Sequence, residues 1–342
     1  MNFLITGGAG FIGRHLANRL VALGHHVRVL DDLSAGDPNA LDERVLFQRG
    51  DVRDLPKLWT QLHGINCVYH LAARVSLPQS ILYPRDYNDV NVGGTVTLME
   101  AMRATGIRRI VLASSGTIYG DQKRQPVDET VVPQLLTPYA VSKFAAEHYM
   151  FTLGIHYGIE TVALRIFNAY GPGQALPPAY PPVVPQLLHQ VLNGGTFVVF
   201  GSGKQTRDYV YIDDVVNALI EAGLREGVDR QVINVGSGCE TSVEDLIRLV
   251  EKVTGRTARV LYNEQQSGGV NRLLADLEKA GALLDYRPQV SLEEGLRRTV
   301  LLDPRFRRLL DKSVLTANDH TDREHRRAVH ATTSGTAPDD KT

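Results

Sequence analysis

The octapeptide TGGAGFIG, residues 6–13, joins a short apolar run, NFLI (2–5), to the segment FIGRHLANRLVALG. In that segment Phe11, Leu16, Leu20 and Leu23 recur at the spacing of one helix face, and Gly24 reads as the helix end. A glycine-rich turn held between a strand and a helix is the most restrictive feature of the chain. Gly7, Gly10 and Gly13 stand three apart, and Gly8, Gly10 and Gly13 also fit G-x-G-x-x-G. Glycine at these positions permits a tight turn, close approach of a pyrophosphate to the backbone, and close packing of helix on strand. The helix N-terminus then offers unpaired N–H groups to an anion. The turn therefore predicts a β-α-β start and a dinucleotide site.

Alternation of strand-like and helix-like segments continues downstream. HVRVL (26–30), VLFQ (45–48), NCVYHLA (66–72), IRRIVLA and ETVALRIF (160–167) read as buried strands, and a long helix is expected from Tyr87 to Thr105. Such alternation argues for parallel strands covered by helices on both faces: α/β, a doubly wound parallel sheet. Thr137 and Pro138 open a further helix as cap and first residue. Ser242-Val-Glu-Asp245 and Ser291-Leu-Glu-Glu294 are capping patterns for two more. From about Lys312 the composition turns polar with no apolar period, and a disordered tail is expected over 311–342.

Asp31 ends the second strand, where a carboxylate accepts hydrogen bonds from an adenosine ribose and repels a 2′-phosphate. This favours NAD over NADP. Tyr139 and Lys143 are four apart on one helix and project from one face. A free tyrosine is a poor base at neutral pH, and a nearby ammonium is expected to lower its pKa. The pair can then move a proton from a sugar hydroxyl. SSGTIYG (114–120) follows the intervening strand and puts the Ser115 hydroxyl beside Tyr139. The formal net charge of -1 gives no basic surplus that would recommend a nucleic-acid partner. No segment has the uninterrupted apolar length of a membrane helix, nothing reads as a signal peptide, and a cytoplasmic protein is expected. Cys67 and Cys239 make no metal-ligand spacing, nor do His25, His26, His63 and His70, so no metal is expected.

In order along residues 1 to 310 stand TGGAGFIG, DDLSAG, GDVRD, HLAA, NVGGT, SSGTIYG, YAVSK, LRIFNAYGPG and GSGKQTRDYVYIDD. With these motifs the chain resembles the extended short-chain dehydrogenase/reductase family, and within it the nucleotide-sugar epimerases. The resemblance implies an NAD-binding Rossmann domain over 1–168 plus about 208–235, and a smaller α/β nucleotide-sugar domain over 169–207 plus 236–310. It implies Ser115, Tyr139 and Lys143 as catalytic residues. Around NAD it implies Gly7, Gly10, Phe11, Ile12, Gly13, Asp31 on ribose, Asp51 and Val52 near adenine, Ala72, Asn91, Tyr139 and Lys143. On the substrate it implies Thr117, Asn168 and Arg207, and it implies a homodimer.

Similar 4,6-dehydratases hold Asp and Glu at the positions of Gly116 and Thr117, and similar decarboxylases keep the Glu. Neither residue is acidic here, which leaves chemistry at sugar C4: a UDP-hexose-type 4-epimerase working through a transient 4-keto sugar. A dehydratase, decarboxylase or 4-ketoreductase is the enzymatic alternative, and a non-catalytic NAD-binding regulator the distant one. The second phosphate-binding arginine of similar epimerases is replaced by Gln266, with Arg272 nearby. Leu273 falls where relatives gate the sugar pocket, and Ala175 stands where uronate epimerases often carry arginine.

Overall fold

The structure, a computed structural model, describes residues 1–265 and 269–311. Seven strands form one parallel sheet: β1 (Asn2–Thr6), β2 (His26–Asp31), β3 (Leu46–Arg49), β4 (Cys67–His70), β5 (Arg109–Ser115), β6 (Glu160–Ile166) and a later strand, Gln231–Val235. With β7 (Asn168–Tyr170), β8 (Thr196–Phe200) and β9 (Thr206–Tyr211) intervening, that later strand is β10, and the spatial order is β3-β2-β1-β4-β5-β6-β10. The order reverses between β1 and β4, which opens a crevice beyond their C-terminal ends. β11 (Glu240–Ser242), β9 and β7 make a three-stranded sheet, and β12 (Arg259–Asn263) pairs with β8.

Successive residues of the large sheet alternate between two buried clusters. Phe3, Ile5, Val111, Val162 and Leu164 belong to one, and Leu4, Ile110, Leu112 and Ala163 to the other. The sheet is thus covered on both faces, as its near-continuous apolar strands require.

The capping signals operate as their chemistry demands. Thr137 accepts from the Ala140 N–H at 3.2 Å, opening the helix Pro138–Tyr157, and Gly158 ends it with φ of 66°. Ser242 accepts from the Asp245 N–H at 3.0 Å and Ser291 from the Glu294 N–H at 3.3 Å.

Two expectations need correction. Leu23 is half exposed, because the first helix stops at Ala22 and the next residue leaves helical geometry; its buried face is Gly13, Leu16, Ala17, Leu20 and Val21. The long helix from Tyr87 is not uniform: the helical turn Pro84–Tyr87 leads through a π-helical stretch, Asn88–Gly93, into the α-helix Gly94–Thr105. The wider π turn carries Asn91 inward, where it is buried. The tail expected beyond 311, residues 312–342, lies outside the described residues, as do 266–268.

Candidate active site

A cavity of about 440 Å³ opens where the ends of β1, β2, β4, β5 and β6 converge. Its glycine-rich rim has no room for side chains. A Cβ at Gly13 would lie 2.3 Å from the Gly7 carbonyl oxygen, and one at Gly7 would lie 2.6 Å from the Ala72 nitrogen. Gly7 also has φ of 70°, a conformation that L side chains rarely adopt. These contacts seat the turn directly against the backbone after β4. Phe11 and Ile12 continue the wall from the first helix.

Asp31 closes the far rim and is buried. Its Oδ2 accepts from the Ala9 N–H at 3.0 Å and its Oδ1 from the Leu33 N–H at 2.8 Å. Burial raises its pKa, and these donors offset only part of that effect. Each oxygen retains a lone pair, so a diol at this rim would meet an under-solvated acceptor. Asp51 and Val52 also line the cavity, but the Asp51 carboxylate is already gripped by Arg53 at 2.9 and 2.6 Å. The glycine cradle, the helix N-terminus and the Asp31 acceptor together fit a dinucleotide.

Toward the other end stand Ser115, Thr117, Tyr139, Lys143 and Asn168, all in the cavity wall. Thr117 is 2.9 Å from the Ser115 hydroxyl, oxygen to oxygen. The Tyr139 ring meets the edge of Tyr87 at 6.3 Å between centroids. Burial pushes the Tyr139 phenol up to about 12, with a hydrogen bond to Ser115 acting in the opposite direction. The expected lowering by the lysine is not what governs this phenol: burial raises its pKa, and the lowering effect comes from the Ser115 hydrogen bond. Burial also pushes the Lys143 ammonium down to about 8, against the pull of Glu147.

Among the described residues this end of the cavity holds no carboxylate. The acidic residues of the wall are Asp31, Asp32 and Asp51, and all belong to the opposite rim. At Gly116 a Cβ would already be 3.0 Å from the Phe167 ring, so an acidic side chain there would have to displace it. Leu273, Gln174, Ala175 and Pro182 complete this end.

Two expected residues lie outside the wall. Asn91 turns away from the cavity: its Oδ1 accepts from the Arg74 N–H at 2.7 Å, and its Nδ2 donates to the Arg74 carbonyl at 3.0 Å and to Ser142 Oγ at 2.9 Å. It holds the loop that lines the cavity. Arg207 lies on β9, two residues before the partner of Asn168, and donates to the Thr206 and Val270 carbonyls at 2.7 Å each. Arg272 is occupied by Glu240 at 2.6 and 2.7 Å. The side chain of Arg74, which follows HLAA, was not singled out by the sequence, yet it lines the cavity and its charge reaches Asp51. His70 is a structural histidine: its ring nitrogens meet the Thr6 and Thr95 hydroxyls at 2.7 and 3.0 Å, and burial pushes it down to about 3.

Comparison with known proteins agrees with this geometry. A UDP-glucose 4-epimerase of Mycolicibacterium smegmatis is 37% identical over 308 residues, spanning 88% of this chain and 97% of the relative. The crystal structure of a Thermotoga maritima UDP-glucose 4-epimerase with UDP-glucose superposes with a TM-score of 0.84 at 36% identity, covering 87% of this chain and 97% of that one. A Thermus thermophilus UDP-glucose 4-epimerase in complex with NAD gives 0.81 at 33% identity, with 87% and 97% covered. The sequence profile of the NAD dependent epimerase/dehydratase family matches residues 3–236, and the chain belongs to that family.

Proposed function

We propose that this chain is an NAD-dependent 4-epimerase of a nucleotide sugar, most simply a UDP-hexose. The observation that carries the reading is the carboxylate-free sugar end of a cavity whose other end fits a dinucleotide. Elimination or decarboxylation chemistry at C5 or C6 requires a base there, and this chain has a glycine packed on Phe167 and a threonine bonded to Ser115.

In this reading Tyr139 exchanges a proton with the sugar 4-hydroxyl, Ser115 orients that oxygen, and the Lys143 ammonium favours the phenolate form. Gly7, Gly10, Phe11, Ile12 and Gly13 cradle the cofactor diphosphate, Asp31 accepts from the adenosine ribose, and Val52 and Ala72 pack beside it. NAD, when bound, supplies the acceptor that takes hydride from C4 and returns it. Asn168 and Arg207 contact the substrate, and Thr117 donates to the sugar. The large sheet is then the cofactor domain and the two small sheets belong to the nucleotide-sugar domain.

We also propose a homodimer in the cytoplasm. Leu82, Tyr83, Leu136, Val141 and Tyr149 are exposed apolar residues on and around the helix Pro138–Tyr157, which supports pairing along that face. Two unpaired cysteines fit a reducing compartment.

The test is isotopic. A UDP-hexose carrying deuterium at C4 should keep its label on epimerisation, and turnover in deuterium oxide should place none on carbon. Solvent deuterium at C5 or C6, or a product lighter by water or carbon dioxide, would overturn the reading.

A further inference from the structure

Behind the cavity lies a buried carboxylate that the chemistry above does not use. Glu147 follows Lys143 by one helical turn and Tyr139 by two, so the three form one stripe along the helix Pro138–Tyr157. Glu147 is 1% exposed and Lys143 4%. Its Oε1 accepts from the Ser114 hydroxyl and from Arg165 Nε at 3.1 Å, and its Oε2 accepts from Arg165 Nη2 at 2.9 Å. Arg165 in turn lies over the Tyr119 ring at 4.9 Å, and the Tyr119 hydroxyl donates to Asn234 Oδ1 at 2.7 Å.

The placement of these partners is informative. Ser114 precedes Ser115 on β5, Arg165 lies on β6 just before the cavity residues Ile166 to Asn168, and Glu147 shares its helix with Tyr139 and Lys143. One carboxylate therefore ties together the three elements that deliver the reactive groups. A buried ion pair is weak evidence for stability, since desolvation offsets its attraction, so its retention asks for another reason.

The other groups around Lys143 supply no charge. His70, from β4, is held neutral by burial between two threonine hydroxyls. Tyr139 and Tyr87 are phenols whose pKa values burial raises. Ser114 and Ser115 are neutral, and the Arg165 cation faces Glu147. Glu147, one helical turn from Lys143, favours the charged lysine against the larger opposing effect of burial.

We propose that Glu147 is the fixed counter-charge of Lys143, a positioning residue whose carboxylate is locked by Arg165 and Ser114 so that the lysine stays an ammonium beneath Tyr139. The link to catalysis rests on the epimerase reading; the charge coupling does not. It is tested on the full chain with ¹³Cε-labelled lysine, taking the resonance lost in Lys143→Arg as that of Lys143. Glu147→Gln should lower the titration midpoint of this resonance by about one unit, since it removes an opposite charge one helical turn away and leaves the Arg165 cation uncompensated beside it. The alkaline limb of kcat should move down with it. Arg165→Lys disturbs the same pair but leaves the carboxylate charged, and should leave the midpoint nearly in place. An unmoved midpoint in Glu147→Gln, or equal shifts in both variants, would overturn the proposal and leave Glu147 a packing residue. If Glu147→Gln does not fold, Glu147→Asp serves: drawing the charge back by one methylene should still lower the midpoint, and no change refutes the coupling. A wild-type protein without epimerase activity but with the expected lysine shifts would refute the functional reading alone.

Discussion

Replacing Lys143 by methionine should stabilise the nucleotide-free protein while disabling it. The lysine is 4% exposed, and burial lowers its pKa from 10.5 to about 8 against the opposing pull of Glu147. A depression of about 2.5 units, at about 1.4 kcal/mol per unit, means that keeping this ammonium buried costs about 3 kcal/mol. Methionine retains most of the stem and carries no charge. The sign follows from proton counting. Below pH 8 the lysine is charged both folded and unfolded, so the cost is present in full. Between about 8 and 10.5 the folded chain gives up its proton first, and the cost fades. Above 10.5 it is gone. The stability advantage of Lys143→Met should therefore be about 3 kcal/mol at pH 7 and shrink toward zero by pH 10.5. Denaturant unfolding of both nucleotide-free proteins, run from pH 6 to 10, measures it. A variant that is less stable at pH 7, or a difference that does not narrow above pH 8, would refute the claim that the site keeps a desolvated cation at the expense of stability.

Three further outcomes follow from the cavity. NAD should bind more tightly than NADP, since the buried Asp31 would face the added 2′-phosphate; calorimetry giving equal or tighter NADP binding would refute this. Tyr139→Phe should lower kcat by about a hundredfold or more, the usual scale of general acid–base loss, while NAD binding persists; near-normal turnover removes Tyr139 from the mechanism. Gly13→Ala should weaken NAD binding and destabilise the fold by about 1–3 kcal/mol, because the added carbon meets backbone atoms of Gly7 and Gly8 at 2.3 and 2.6 Å that no rotamer change can relieve; unchanged affinity and melting temperature would show that the turn relaxes.

What the sequence made legible was what local chemistry dictates. The glycine turn, the strand-end Asp31, the Thr137-Pro138 helix start and the four-residue spacing of Tyr139 and Lys143 are each read over a few residues, and each has its place in the fold. Properties that depend on burial were less accessible. An ammonium four residues from a phenol suggests a lowered tyrosine pKa, but the sign in this cavity is set by how far both groups are removed from water, and that is a property of the packed sheet and helices. Contacts across long sequence separations were also hidden. Glu147 and Arg165 look like ordinary charges of a helix and a strand, and only the juxtaposition of that helix with β5 and β6 makes them one buried pair. Asn91 shows the same limit from another side: a polar residue in a motif invites a ligand role, whereas the π turn that carries it inward gives it the Arg74 backbone and Ser142 as partners. Most of the legible residues thus face the cavity, whereas Glu147 and Arg165 stand behind it, where local spacing gives no sign that they pair.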